Sequence, residues 1–228
     1  MTDVEREALS ISLSVATVAV LVTLPVALGF AWALARGRFP GKTLLEAIVN
    51  LPLVLPPVVI GYALLVTFGR NGPVGRWLHQ TLDLQFVFTF RGAVLAAAVM
   101  GLPLVVRAMR QALEAVDRGL EAAARTLGAS PARVFWTVTL PLMSPGLLSG
   151  AVLGFAAALG EFGATITFVS NVPGETQTLP LAIYSALQQP GGDSAAARLV
   201  AWSAALALAA LGLAQWCHRR VQRWLGQA

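Results

Sequence analysis

The sequence predicts an all-helical, polytopic membrane protein with about five transmembrane helices. Of its 228 residues, 57% are hydrophobic and only 12% are charged, whereas soluble domains carry about 25% charged residues. Several apolar stretches reach the ~20 residues that a helix needs to cross the hydrocarbon core. Because no change of composition divides the chain, we expect one transmembrane domain over residues 1–228.

Five stretches are candidate spans, each assigned from its apolar length. Only fifteen residues separate Arg91 from Arg107 in the third, so it needs either residues 87–90 or an Arg107 that snorkels outward. The stretch 179–187 is apolar but too short to cross, which predicts an interfacial or re-entrant helix. The acidic start of the chain predicts an uncleaved first span. The spans are 11–34, 44–68, 87–109, 146–168 and 199–217.

The basic residues are distributed unequally across the predicted membrane. With the N-terminus outside, eleven of the sixteen fall in inner parts and five in outer parts. Cytoplasmic loops carry an excess of Lys and Arg, so the C-terminus is predicted in the cytoplasm. The net charge of +5 is then a topology signal, and we expect no nucleic-acid partner. The inner set is Arg36, Arg38, Lys42, Arg107, Arg110, Arg118, Arg125, Arg133, Arg219, Arg220 and Arg223.

The longest inner connection, residues 110–141, is called here the polar segment. Its alanine-rich stretch predicts a helix supported by an i,i+4 pair between Glu121 and Arg125, and Gly128 suits the residue that ends this helix. A second helix should follow and stop at Pro141. Periodicity alone favours an ordinary loop that packs against its own spans. The alternative is a docking site for a partner that supplies energy.

The polar segment resembles the inner loop of the permease subunits of bacterial ABC importers. That loop reads Glu-Ala-Ala, three residues, Gly, nine residues, Ile, one residue, Leu-Pro. Here Gly128 is the glycine, Val138 takes the isoleucine place, and the glutamate stands one place early. The resemblance implies a coupling helix that docks into a groove of a separate ATPase. The coupling residues are then Glu121, Ala122, Ala123, Ala124, Gly128, Leu140 and Pro141.

The same resemblance implies the partners and the location of the chain. It implies a homodimer in a bacterial inner membrane, with two ATP-binding cassette subunits and an extracytoplasmic oxyanion-binding protein. We expect no ATP or other cofactor in this chain, because Arg36 stands where a P-loop ending at Gly41-Lys42-Thr43 needs glycine. We expect neither an enzyme nor a metal site, since two histidines and one cysteine form no such motif.

Two stretches inside the spans are candidates for a translocation pathway. Three prolines interrupt the second span, and a broken helix is tolerated in a membrane where it faces protein or water. The fourth span holds Glu161 between glycines, and a buried charge there usually has a role. Glu161 orders a gate, lies near the outer mouth, or only packs helices. The candidates are Asn50, Pro52, Pro56, Pro57, Gly160, Glu161, Phe162, Gly163 and Thr165.

Residues 50–62 resemble oxyanion permeases, and residues 159–176 resemble molybdate permeases in particular. The resemblance implies molybdate or tungstate as cargo, with sulfate or thiosulfate as the alternative. An uncoupled channel or scaffold is the alternative of a different class. No lysine or arginine lies well within a predicted span, so hydroxyls such as Thr165 and backbone amides are the expected contacts. Tight capture then belongs to the extracytoplasmic binding protein.

Overall fold

The computed structural model describes residues 2–224, apart from the side chains of residue 214 and residues 217–224. Three arginines of the inner set, Arg219, Arg220 and Arg223, therefore lie outside the described side chains. Every regular element in the described part of the chain is helical, which confirms the all-α class. Within residues 2–224, four helices are long and apolar enough to cross a membrane, or five if one bent pair counts as a span.

The helices follow one another with short connections. They are α1 (Asp3–Arg36), α2 (Lys42–Val54), α3 (Pro57–Phe68), α4 (Pro73–Leu82), α5 (Phe90–Ala115), α6 (Arg118–Thr126), α7 (Pro131–Val134), a π-helical turn (Phe135–Thr139), α8 (Leu140–Leu159), α9 (Gly163–Val169), α10 (Leu179–Leu187) and α11 (Asp193–Trp224). Most helices are longer than the apolar stretches that predict them, because polar end turns continue the helix. Helix α1 begins with a capping box between Thr2 and Glu5.

Helices α1, α5 and α8 form the central bundle. Small buried residues such as Ala16 and Ala97 allow their backbones to approach closely. Helix α8 turns a ridge of three glycines, Gly146, Gly150 and Gly154, toward α5. A Cβ on Gly154 would lie 2.7 Å from the Val105 side chain. This ridge therefore packs inside the chain.

The second predicted span is a broken helix, as its prolines predict. Helices α2 and α3 meet at an angle of 115° across residues 55–56. Pro57 occupies the first turn of α3, where its missing N–H costs no hydrogen bond. Pro52 lies inside α2 and is buried.

The fourth predicted span differs most from the structure. Its helix begins at Pro131, runs through the π-helical turn, and ends at Leu159, so residues 160–162 are not helical. The expected stop at Pro141 is wrong, because the wider π turn directly before it lets the helix continue. The two helices predicted within residues 110–141 are present, and the end of α8 at Leu159 places Glu161 at a break rather than inside a helix.

The short helix α10 packs against α1 and α11, near the start of α1. Helix α10 has the bounds predicted for an interfacial or re-entrant helix, and it buries Leu179 and Ala182 against α1 and α11. The Leu179 N–H donates to Ser12 Oγ at 2.7 Å, and Arg198 Nε donates to Glu5 Oε1 at 2.8 Å. These bonds tie α10 and α11 to the start of α1.

Candidate transport site

Helix α6 of the polar segment presents an exposed small-residue surface. Asp117 caps the helix by accepting from the Gly119 N–H at 2.7 Å. Ala122 and Ala123 are exposed, and Leu127, at the end of the helix, is 88% exposed. An apolar side chain this open beside exposed alanines offers a surface on which another protein can dock.

A glycine ends this surface. Gly128 has φ of +84°, in the left-handed region that favours glycine, and no atom lies within 4 Å of a Cβ built on it. No other described part of this chain therefore packs against the Cβ position of Gly128. Ser130 then caps α7 by accepting from the Arg133 N–H.

Glu121 faces the opposite way, into the protein. Its side chain is buried, accepts from Arg36 Nη2 at 3.1 Å and accepts from Thr139 Oγ1 at 2.8 Å. The expected pair with Arg125 is wrong, because Glu121 lies on the inner face of α6 while Arg125 is exposed. The partner comes from the last turn of α1, 85 residues earlier in the chain.

Arg36 is a site residue that the sequence reasoning missed. Its guanidinium donates both to Glu121 and to the Leu113 carbonyl at 3.2 Å, so it joins the ends of α1 and α5 to α6. A basic residue in the last turn of a helix is common, because it interacts favourably with the helix dipole. Because this role alone accounts for Arg36, the sequence gives no sign that Arg36 also pairs with Glu121.

Leu140 and Pro141 stand where the π-helical turn passes into α8, and both are half-buried. The π turn ends with the Leu140 N–H donating to the Phe135 carbonyl. A cleft of about 450 Å³ opens between this turn, α6 and α1. Its lining includes Trp32 and Phe135, whose rings meet edge to face with centroids 5.4 Å apart.

The two helix breaks meet in the fold. Helix α3 packs on α9 so closely that a Cβ on Gly61 would lie 2.6 Å from the Ala164 carbonyl oxygen. A Cβ on Gly163 would lie 2.8 Å from Pro57 Cβ. The structure therefore brings together the proline break of the second span and the glycine break of the fourth. Pro56 and Gly160, at these breaks, are exposed.

Glu161 holds the start of α9. Its carboxylate accepts from the Ala164 N–H at 2.7 Å and is buried. A helix start leaves backbone N–H groups without partners, and a carboxylate near it is favourable. Thr165 is buried one turn further along, and the Phe162 ring lies against Tyr184 with centroids 5.3 Å apart.

Asn50 lies on α2, the helix of the bent pair that precedes the break. It belongs to a second polar group, which we call the α2–α5 cluster. It comprises Glu46, Asn50, Arg107, Arg110 and Glu114. Arg110 donates to Glu46 at 2.7 Å and to Glu114 at 2.8 Å, and Arg107 Nε donates to Asn50 Oδ1 at 3.0 Å.

The arginines of the α2–α5 cluster lie in the C-terminal part of α5. This helix is continuous from Phe90 to Ala115, so Arg107 and Arg110 belong to the same helix as an apolar stretch long enough to cross a membrane. The polar residues of α2 gave a signal, since Glu46 and Asn50 are four residues apart and share one helix face. In the described part of the chain, no group of acidic, cysteine and histidine residues could hold a metal ion.

Comparison with known proteins defines the class. Residues 25–223 match the family described as the binding-protein-dependent transport system inner membrane component. The chain belongs to this family, which confirms an inner-membrane transport subunit that is not itself catalytic. The resemblance of the chain to ABC importer permeases is also confirmed.

Particular relatives are more specific. The chain is 58% identical over 219 residues to the molybdenum transport system permease protein ModB of Escherichia coli K12, covering 96% of each chain. It is 56% identical over 223 residues to the ModB protein of Haemophilus influenzae, covering 98% of this chain and 97% of that one. The fold is similar to a bacterial ABC transporter that imports alginate, with a TM-score of 0.78 and 18% identity over 96% of this chain and 80% of that one.

Proposed function

We propose that this chain is the permease subunit of an ATP-driven importer that carries molybdate, and also tungstate, across the inner membrane. The observation that carries the proposal is the polar segment. Its motif frame places exposed alanines and Leu127 on one side of α6 and a buried Glu121 on the other. The two ModB relatives, named as molybdenum permeases, support the cargo.

The proposed assembly is a homodimer with two ATP-binding cassette subunits and an extracytoplasmic oxyanion-binding protein. The family description, which names dependence on a binding protein, supports the outer partner. The charge bias supports an N-terminus outside and a C-terminus in the cytoplasm, which turns the polar segment toward the ATPase. ATP is bound and hydrolysed by the partner subunits, and this chain contributes no cofactor.

The proposed mechanism couples the polar segment to the two breaks. Movement of the ATPase displaces α6, and the ion pair between Arg36 and Glu121 transmits the displacement to α1. The helix that starts at Pro131 carries the displacement to the break at residues 160–162. Closing and opening of the meeting point of α3 and α9 then alternates access to the two sides.

The state of Glu161 fits an anionic cargo. A carboxylate exposed on the pathway would repel molybdate, but this one is buried and directed at the Ala164 N–H, so it is not presented to the cargo. It therefore shapes the break, and we propose that Asn50, Pro52, Pro56, Pro57, Gly160, Phe162, Gly163 and Thr165 form or support the pathway around it.

Uptake of labelled molybdate by cells or proteoliposomes that contain the assembled transporter tests the cargo. We expect tungstate to compete with molybdate, because the two oxyanions have the same charge and shape, and we expect excess sulfate not to compete. Equal competition by sulfate would favour the sulfate permease instead. Uptake that needs no ATPase subunit would favour an uncoupled channel.

The same substitution at two exposed alanines tests the docking surface on α6. Ala123→Arg keeps a good helix former on α6 but adds bulk and charge where the ATPase should dock, whereas Ala197→Arg makes the same change on α11. We expect Ala123→Arg to abolish stimulated ATP hydrolysis and uptake while Ala197→Arg retains both. Wild-type coupling in Ala123→Arg would contradict the proposal.

Cysteine labelling tests the orientation. Leu127→Cys, in a chain whose Cys217 is replaced, exposes one thiol on the polar segment. In cells that express the permease without its ATPase subunits, which would otherwise cover Leu127, we expect an impermeant thiol reagent to label it only after the cells are opened. Labelling in intact cells would place the segment on the outer side and would contradict the coupling mechanism.

A further inference from the structure

The α2–α5 cluster holds two arginines that differ in how their charge is compensated. Arg110 lies between the carboxylates of Glu46 and Glu114 and is 27% exposed. Among the described side chains, no carboxylate forms an ion pair with Arg107, whose hydrogen-bond partner is the neutral amide of Asn50. Arg107 therefore has no carboxylate partner of its own, whereas Arg110 has two, and the four charged side chains of the cluster sum to no net charge.

The hydrogen-bonding capacity of Arg107 is also largely unused. A guanidinium carries five N–H donors in a planar fork that matches oxyanions. Only Nε of Arg107 has a partner among the described residues, which leaves the four N–H groups of its two terminal nitrogens. The side chain is exposed on the single chain, so these donors are accessible.

Asn50 fixes the orientation of this fork. Its Nδ2 donates to the Glu46 carbonyl one turn earlier at 2.7 Å, which leaves Oδ1 to accept from Arg107 Nε at 3.0 Å. Asn50 therefore engages only Nε of Arg107, and an oxyanion can be bound by the two terminal nitrogens. It also adds no negative charge that would compete with an anion.

The depth of the cluster limits what it can face. Asn50 lies five residues before the break at 55–56, which is about 8 Å along α2. Charged side chains at membrane depth face protein or water rather than lipid, because exposure to lipid is costly. With water on this face, both arms of the bent pair, through Asn50 and through Pro57, would line one aqueous route.

We propose that Arg107, oriented by Asn50, is a binding station for a tetrahedral oxyanion between the helix breaks and the cytoplasmic exit. This inference rests on the proposed function, because the route and its direction come from it. Binding of the oxyanion at this station is transient. A single guanidinium, held by a neutral amide, attracts a dianion but lacks the several donors that tight capture needs.

Asn50→Asp is the decisive variant. Aspartate has the same size as asparagine and accepts the same hydrogen bond from Arg107, but it neutralises the charge. If Arg107 served only to join α2 to α5, this variant would strengthen the joint and leave transport intact. We expect uptake of labelled molybdate to fall about tenfold or more, the effect of losing a charged hydrogen-bonding group, while thermal unfolding of the assembled complex is unchanged or shifts upward.

Three further variants frame the result. Arg107→Gln should lose uptake as strongly as Asn50→Asp, and Arg107→Lys should fall between it and wild type, since lysine keeps the charge without the fork. Glu114→Gln, which leaves Arg110 its second carboxylate, should transport like wild type. Wild-type uptake in Asn50→Asp overturns this inference alone. Absence of oxyanion uptake in the wild-type complex overturns both the inference and the proposed function.

Discussion

The polar segment and the meeting point of the two breaks each contain a buried glutamate, and each accommodates it differently. Both residues are 8% exposed. Glu121 is held by side chains from distant elements, Arg36 and Thr139, while Glu161 is held by the backbone three residues ahead. A buried charge thus needs compensation in both places, but only at Glu121 does the compensation join separate parts of the fold.

The surroundings differ as well. Helix α6 is open on its outer side, with no atom within 4 Å of a Cβ on Gly128. The breaks are packed backbone against backbone, at Gly61 with Ala164 and at Gly163 with Pro57. The open region suits a surface that receives a partner, and the packed region suits a joint with few permitted positions.

Glu121→Ala should have the largest effect on stability. Removing the carboxylate leaves Arg36 buried without its ion-pair partner, which costs about 3–5 kcal/mol. Denaturant or thermal unfolding in detergent measures the loss. Glu114→Ala is the control, because its pair with Arg110 is half-exposed and contributes about 1 kcal/mol or less. Equal losses in the two variants would show that the ion pair of Glu121 contributes no special stability.

Glutamine at the two buried positions separates charge from hydrogen bonding. Glu161→Gln keeps an oxygen that accepts from the Ala164 N–H, so we expect a cost of about 1 kcal/mol. Glu121→Gln removes the charge that Arg36 requires, so we expect a cost of about 2–3 kcal/mol. The same unfolding measurement compares them. A larger cost at Glu161 would reverse the comparison.

Gly61→Ala tests the packing of the breaks. Its Cβ would meet the Ala164 carbonyl at 2.6 Å, a backbone atom that cannot rotate away. We expect a loss of about 1–3 kcal/mol from overpacking, together with reduced molybdate uptake. Gly29→Ala is the matched control, since a Cβ there has nothing within 4 Å and alanine favours the helix. A harmless Gly61→Ala would show that α3 and α9 separate easily.

Gly128→Ala should destabilise the protein less than Glu121→Ala or Gly61→Ala. The space is open, so only the left-handed backbone conformation opposes the new side chain, at about 1–2 kcal/mol. Gly128→Asn should cost less, because asparagine adopts this conformation more readily. Thermal unfolding of the two variants gives the difference. Equal stability of alanine and asparagine would indicate that the turn relaxes.

The sequence predicts the elements that depend on local chemistry. Three prolines predict the bend between α2 and α3, the glycine at 128 predicts the end of α6, and the length of 179–187 predicts a helix that does not cross. Apolar length alone predicts about five spans, and the described part of the structure has four helices long enough to cross, or five if the bent pair counts as one span.

The contacts that hold the candidate site come from residues far apart in the chain. Arg36 and Glu121 are separated by 85 residues, and Asn50 and Arg107 by 57, so no local pattern connects them. The break at residues 160–162 was hidden for a different reason. Its apolar neighbours satisfy the criterion for a span whether or not the helix is continuous, and the hydrogen bond from the Ala164 N–H to Glu161 stands at the start of the next helix.

The π-helical turn at Phe135–Thr139 has a mechanical consequence. By widening just ahead of Pro141, it removes the interruption that proline would impose and leaves one rod of 29 residues, about 43 Å long. A tilt of about 5° about one end of a helix of this length moves the other end by about 4 Å. That displacement is comparable to the diameter of a small tetrahedral anion, so a single inserted backbone turn gives this fold the reach to change the width of an opening far from where force is applied.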